Sequence, residues 1–217
     1  MQRKVCGLTQ PDNIEAVLGL GVDYVGFIFY SKSKRYAESP VLKKWVAEHQ
    51  DLFADVAKVG VFVNAEVDYV LNTVHDYELD YVQLHGAESP GYCQELKLLW
   101  SVNTLRGAKI VKAFSVDQNF NFATTLAYAS SCAFFVFDTG GQADHGGTGV
   151  KWDWDKLREY EGTTPFLLSG GIGPADAAKI NVIDHQQLLG VDVNSRFEVS
   201  PGNKDVDALS VFLAELD

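Results

Sequence analysis

The chain has 217 residues, 47% hydrophobic and 22% charged, an ordinary mix for one soluble domain with a sizeable core. No stretch approaches the ~18 consecutive apolar residues of a membrane span. A net charge of −11 argues against a nucleic-acid surface, which needs a basic stripe, but leaves room for one phosphorylated small molecule held by backbone N–H groups.

Met1-Gln2-Arg3-Lys4 leads into a short β-type run, Arg3–Cys6, without the apolar core of a signal peptide. A cytoplasmic chain with three free thiols is therefore expected. Pro11-Asp12 opens a helix. Tyr24–Phe29 is the second strand, followed by the basic loop Tyr30–Tyr36 and a helix with Ser39 at the N-cap and Pro40 at N1. Val41, Leu42, Trp45 and Val46 recur there at helical spacing.

Ala57–Val63 and Tyr81–Leu84 are the next strands, and Ser89-Pro90 starts the helix after the fourth. Ile110–Phe114, Phe134–Asp138, Pro165–Leu168 and Leu189–Val193 complete eight β segments, with Gly173-Pro174 opening the seventh helix and an apolar side at Val206–Leu213. Strands alternating with helices imply parallel pairing and right-handed crossovers. Cys6, Asn64, His85, Asp138, Gly170-Gly171 and Asn194-Ser195 all fall at strand C-terminal ends. An open sheet gathers its ligand residues at one switch point; contributions from most strand ends suit a barrel mouth. The expected fold is an α/β TIM barrel, (βα)8, with eight parallel strands and outer helices, residues 1–217 forming one catalytic domain.

Ser169-Gly170-Gly171-Ile172-Gly173 follows strand seven, and Asn194-Ser195 follows strand eight. Loops in those two places commonly bind phosphate in barrels, and glycines let an anion approach the backbone. Gly146-Gly147-Thr148-Gly149 lacks the ending of a nucleotide P-loop, but Gly147 and Thr148 can close over a phosphate from a third side.

Cys6 ends strand one at the mouth, whereas Cys93 and Cys132 read as small buried hydrophobes. A thiol with an unperturbed pKa of about 8.5 needs activation to serve as a base. Asp138 follows four apolar residues, and that setting is expected to raise its pKa and keep it protonated. Strands one and six lie three steps apart in a ring of eight, so their ends face one another. Arg35 offers a rigid cation over the mouth for a carboxylate and an aromatic ring, with Lys32 and Lys34 adding positive field. His85 is expected to play a structural hydrogen-bonding part. No metal site is expected, because no further ligands lie on neighbouring strands.

Several ordered motifs carry a resemblance. They are Lys4-Val5-Cys6-Gly7-Leu8-Thr9, Val25–Tyr30 with Lys34-Arg35-Tyr36, Lys58–Asn64, Val82–Gly86, Phe137-Asp138-Thr139, Gly146–Gly149, Leu168–Gly171, Val191–Ser195 and Pro201–Asp205. Together they resemble the phosphoribosylanthranilate isomerase family along the whole chain. The resemblance implies an Amadori rearrangement of N-(5-phosphoribosyl)anthranilate in tryptophan biosynthesis, without a cofactor. It makes Cys6 the general base, Asp138 the general acid and Arg35 the residue at the anthranilate end. Two positions depart from the family pattern: Arg196 stands where a Ser-Ser-Gly run is common, and Val150 where a lysine is frequent.

Strand parity adds an expectation. Lys4 shares a face with Cys6, and Asp192 shares one with Asn194, on adjoining strands. Pointing inward, the two charges should pair. Other phosphosugar barrels fit less well: the isomerase of histidine biosynthesis expects a carboxylate at position 6, and a phosphopentose epimerase needs metal ligands. A catalytically silent phosphate-binding scaffold is the alternative from another class. Monomer and homodimer both remain open.

Overall fold

The computed structural model describes residues 1–102, 107–139 and 151–216. Eight parallel strands close into a barrel in chain order. They are β1 Gln2–Cys6, β2 Tyr24–Ile28, β3 Ala57–Phe62, β4 Tyr81–Leu84, β5 Lys109–Val116, β6 Cys132–Thr139, β7 Phe166–Leu168 and β8 Leu188–Val193. β8 returns to pair with β1, so the barrel leaves no open edge. All eight expected strands are present. β5 and β6 run longer than expected, pairing from Ile110–Cys132 to Val116–Thr139.

The outer helices are α1 Pro11–Leu18, α2 Pro40–Glu48, α3 Val67–Tyr77, α4 Pro90–Val102, α5 Ala177–Ile180 and α6 Val206–Ala214. Ser39 caps α2 as expected, its hydroxyl accepting the Leu42 N–H at 3.0 Å. Ser89 does the same for Tyr92 at 3.2 Å. Two connections depart from the alternating pattern. Among the described residues, the connections after β5 and β6 carry 3-10 turns, Phe122–Tyr128 and Trp154–Glu159, and no α-helix. Asn121 and Asp153 each accept the backbone N–H two residues on, a tight closure that competes with the wider α turn. Gly173-Pro174 likewise opens a 3-10 turn, Pro174–Asp176, before the short α5.

Alternation along each strand divides the core in two. Outward residues such as Val5, Val25, Phe27, Phe135 and Phe137 pack beneath the helices. Inward residues Tyr24, Val59, Val111, Ala113, Phe134, Val136 and Leu167 fill the barrel. The rings of Tyr24, Tyr81 and Phe134 meet pairwise, with centroids 5.4–5.6 Å apart. This apolar plug supports the polar residues further along the strands. On β1, Lys4 and Cys6 flank the outward Val5. Lys4 lies in register with Asp192 on β8, and its ammonium meets the Asp192 carboxylate at 2.7 Å, as parity predicts. Among the described residues no helix is long and apolar enough to cross a membrane.

Candidate active site

Cys6 is the last residue of β1, beside Gly26 of β2. A Cβ placed on Gly26 would lie 2.6 Å from the Cys6 Sγ, so glycine there is what gives the sulfur its room. Burial pushes the thiol above its ordinary range. Lys4 and Lys204 pull the other way but do not overcome it, and Asp192 adds to the rise. Lys4 remains charged although fully buried, because Asp192 and Cys6 more than offset the cost of its desolvation.

Asp138 lies near the end of β6, on the inward face. His85, just beyond β4, reaches it: Nε2 is 3.2 Å from Oδ2. The Thr139 N–H donates to Oδ1 at 2.8 Å. The Gln83 amide nitrogen is 3.0 Å from the His85 Nδ1, which leaves the Nε2–H to donate to Asp138. The expected structural part for His85 is therefore a specific one. These contacts also correct the expected protonation of Asp138. Burial does push the carboxyl upward, but the His85 hydrogen bond, the Thr139 N–H and Lys4 outweigh it, holding Asp138 below the usual carboxylate range. Phe135 and Phe137 of the apolar run turn outward, and on the inner face, beyond Phe134 and Val136, the aspartate meets His85.

Arg35 is half-buried in the loop after β2, its Cδ over Gly7, the residue after Cys6. Gly7 has φ +80°, and a Cβ there would lie 2.7 Å from Arg35 Cδ and 2.6 Å from Asn194 Oδ1. Lys32 and Lys34 are exposed on the same loop. The guanidinium is gripped by Glu198 through Nε, at 2.9 and 3.0 Å, and Nη2, at 2.6 Å. Lys204 reaches both Glu198 Oε1 and Asn194 Oδ1 at 2.7 Å. Neither Glu198 nor Lys204 has a role in the expectations drawn from the sequence, although Lys204 lies in the Pro201–Asp205 motif. Their signal was a pair of opposite charges within a run, Asn194–Asp205, that also holds a Pro-Gly turn.

Gly170 and Gly171 adopt φ +93° and +66° just beyond β7, conformations that favour glycine. Gly170 also passes close to Asp138, where a Cβ would lie 3.0 Å from Oδ1. Asn194 and Ser195 follow β8, next to the 3-10 turn Ser195–Phe197. Arg196 extends from that turn toward the β7 loop, its Cδ 3.0 Å from a Cβ placed on Gly173. Gly147, Thr148 and Val150 lie outside the described residues. Among the described residues, no group of three or more His, Cys, Asp or Glu is arranged to hold a metal ion.

The arrangement thus joins a thiol, a carboxylate–imidazole pair, a held guanidinium and the loops after β7 and β8 around one mouth. Residues 3–215 match the family model described as N-(5'phosphoribosyl)anthranilate (PRA) isomerase. An N-(5'-phosphoribosyl)anthranilate isomerase from Parabacteroides distasonis is 40% identical over 213 residues, 98% of this chain and 92% of the relative. A crystal structure of phosphoribosyl anthranilate isomerase in complex with reduced 1-(o-carboxyphenylamino)-1-deoxyribulose 5-phosphate is 30% identical. It superposes with a TM-score of 0.80 over 99% of this chain and 98% of the other. The Thermus thermophilus phosphoribosyl anthranilate isomerase, at 24% identity, 99% and 98% coverage and a TM-score of 0.81, shares the fold.

Proposed function

Because the chain belongs to the N-(5'-phosphoribosyl)anthranilate isomerase family, we propose that it performs the family's Amadori rearrangement with Asp138 as general acid and Cys6 as general base. The product is 1-(2-carboxyphenylamino)-1-deoxyribulose 5-phosphate, a step of tryptophan biosynthesis. The observation that carries the reading is the pairing across one mouth. Cys6 on β1 has room for its sulfur beside Gly26, and Asp138 on β6 is oriented by His85.

Asp138 gives a proton to the furanose ring oxygen. The C1′–O bond breaks, and the anilino nitrogen supplies the electron pair that makes C1′ an iminium. The Cys6 thiolate then removes the C2′ proton, and the C–H electrons form the C1′–C2′ double bond as the nitrogen recovers its pair. The enolamine tautomerises to the ketone. The substrate's nitrogen is the electron sink, so the reaction asks for no cofactor.

In the free protein the protons sit the other way round: Asp138 is held ionised and Cys6 protonated. A bound phosphate and carboxylate bring negative charge to the mouth, which raises a nearby carboxyl. The Asp138 carboxyl then takes up its proton from solvent, while the His85 N–H keeps it oriented. Lys4, on the same face of β1 as Cys6, favours the thiolate.

Gly170, Gly171, Asn194 and Ser195 would hold the phosphate, joined by Gly147 and Thr148, and Arg196 adds a cation beside Gly173. Arg35 would hold the anthranilate carboxylate. A cytoplasmic setting suits a base that must remain a reduced thiol, and the whole site lies within one domain. The test is turnover: loss of the substrate's anthranilate-type fluorescence on adding the protein, abolished by Cys6→Ala and by Asp138→Asn. A folded wild-type protein that binds the substrate without consuming it would overturn the reading.

A further inference from the structure

Arg35 does not stand free over the mouth. The Glu198 carboxylate covers one side of the guanidinium at 2.6–3.0 Å, from a side chain only 4% exposed. Glu198 is itself held. Lys204 Nζ, with no exposed side-chain surface, donates to Oε1 at 2.7 Å, and the Gly202 N–H donates to the same oxygen at 3.2 Å.

The holders lie on the hairpin formed by β9 Glu198–Ser200 and β10 Asn203–Lys204. That hairpin is fastened to the first βα unit. Asn13 accepts the Lys204 N–H at 2.7 Å and donates to the Lys204 carbonyl at 3.0 Å, while the Thr9 hydroxyl donates to the Gly202 carbonyl at 3.1 Å. A flexible arginine is thereby fixed by a rigid C-terminal element.

Two consequences follow from the chemistry. A guanidinium has five N–H donors in a planar fork. With Nε and one side of Nη2 turned to Glu198, the plane is set and the opposite edge is the one a second carboxylate can take. The cluster of Arg35, Lys204 and Glu198 still carries one net positive charge after Glu198 has offset one of its two cations, in a chain whose total is −11. Glu198 therefore favours a carboxylate by setting the fork, not by strengthening the field.

We propose that Glu198 is a positioning residue for Arg35, and that it sets the protein's preference for a substrate with a carboxylate on the aromatic ring. The proposal rests on the reading of Arg35 as the anthranilate-end residue. It assigns no part in proton transfer to Glu198.

The test is calorimetric binding of two stable ligands: reduced 1-(o-carboxyphenylamino)-1-deoxyribulose 5-phosphate and its phenylamino counterpart lacking the ring carboxylate. Binding does not depend on Cys6 or Asp138 chemistry, so a failure of the acid–base reading leaves this test intact. Glu198→Gln keeps the shape but removes the charge, and should weaken the carboxylated ligand by roughly tenfold or more, the scale of one charge-assisted hydrogen bond. The phenylamino ligand should change by less than about threefold on that scale. Glu198→Asp keeps the charge but withdraws it by one methylene, and should give a smaller loss of the same selectivity. It also serves if the glutamine variant does not fold. Equal weakening of both ligands would make Glu198 merely structural and overturn the proposal. A wild-type protein that does not distinguish the two ligands would overturn it as well.

Discussion

The His85 imidazole stands between Gln83 and Asp138, its Nδ1 3.0 Å from the Gln83 amide nitrogen and its Nε2 3.2 Å from the Asp138 carboxylate. The carboxylate proposed as the proton donor is thus oriented by a hydrogen bond from a fixed ring. The contact lowers the Asp138 pKa, so removing it should raise that pKa. His85→Asn is expected to move the acid limb of kcat/KM to higher pH, together with a loss of rate. An acid limb that stays in place in a folded His85→Asn variant would separate His85 from the acid.

The pH profile of the wild type follows from the same two groups. On the proposed mechanism, activity from the free enzyme needs protonated Asp138 and ionised Cys6, while Asp138 sits below its ordinary range and Cys6 above its own. Between two such pKa values the product of the two required fractions does not vary with pH. A plot of kcat/KM should therefore be flat over about pH 5 to 8 and fall on either side. A titration centred within that window would mean that another group controls the reaction.

Stability in acid has a defined sign. Asp138 and Glu198 both have folded pKa values below their ordinary ones. Burial opposes this in each case, and is outweighed by His85 at one site and by Arg35 and Lys204 at the other. Such groups stabilise the fold fully above their unfolded pKa, about 4, and the gain is lost as pH falls through the folded values. Melting temperatures measured across about pH 5 to 2 should fall less steeply for Asp138→Asn than for the wild type. An equally steep fall would remove Asp138 as a contributor.

The pair inside the barrel is sensitive to one-sided change. Lys4→Met leaves the buried Asp192 carboxylate without its cation, and one Asp192 oxygen already lacks a hydrogen-bond partner. A cost of about 3–5 kcal/mol is expected in urea unfolding. Replacing both, as Lys4→Met with Asp192→Leu, should recover much of it, since no lone charge remains. A double variant as unstable as the single one would assign the cost to packing.

Gly26 tests the room around the sulfur. In Gly26→Ala the new methyl would fall 2.6 Å from Cys6 Sγ and 3.0 Å from its Cα, so the thiol or the strand must shift. Overpacking of this kind costs about 1–3 kcal/mol. A fall in kcat larger than the change in KM should accompany it, because the proposed base is displaced while the loops proposed to hold the phosphate are untouched. Unchanged kcat with unchanged stability would mean that the mouth absorbs a methyl freely.

Much of this was legible before any coordinates. Strand periodicity, the Ser-Pro helix starts and the placing of Cys6, His85, Asp138, Gly170 and Asn194 at strand ends are local features, and local features fix a repeated βα unit. The Lys4–Asp192 pair was legible too, because alternation along two adjoining strands determines which side chains share the interior. Arg35 with Glu198 was not. They are 163 positions apart, Arg35 in a loop and Glu198 in a three-residue strand outside the barrel, where no barrel periodicity governs side-chain direction.

The amino-acid sequence by itself determined the barrel, the family resemblance and the positions of Cys6 and Asp138 at strand ends. Only the tertiary structure decided how those residues are held and charged. Proton affinity depends on what approaches a group from distant segments, and for Asp138 that is an imidazole from β4's end rather than the hydrocarbon beside it in the chain.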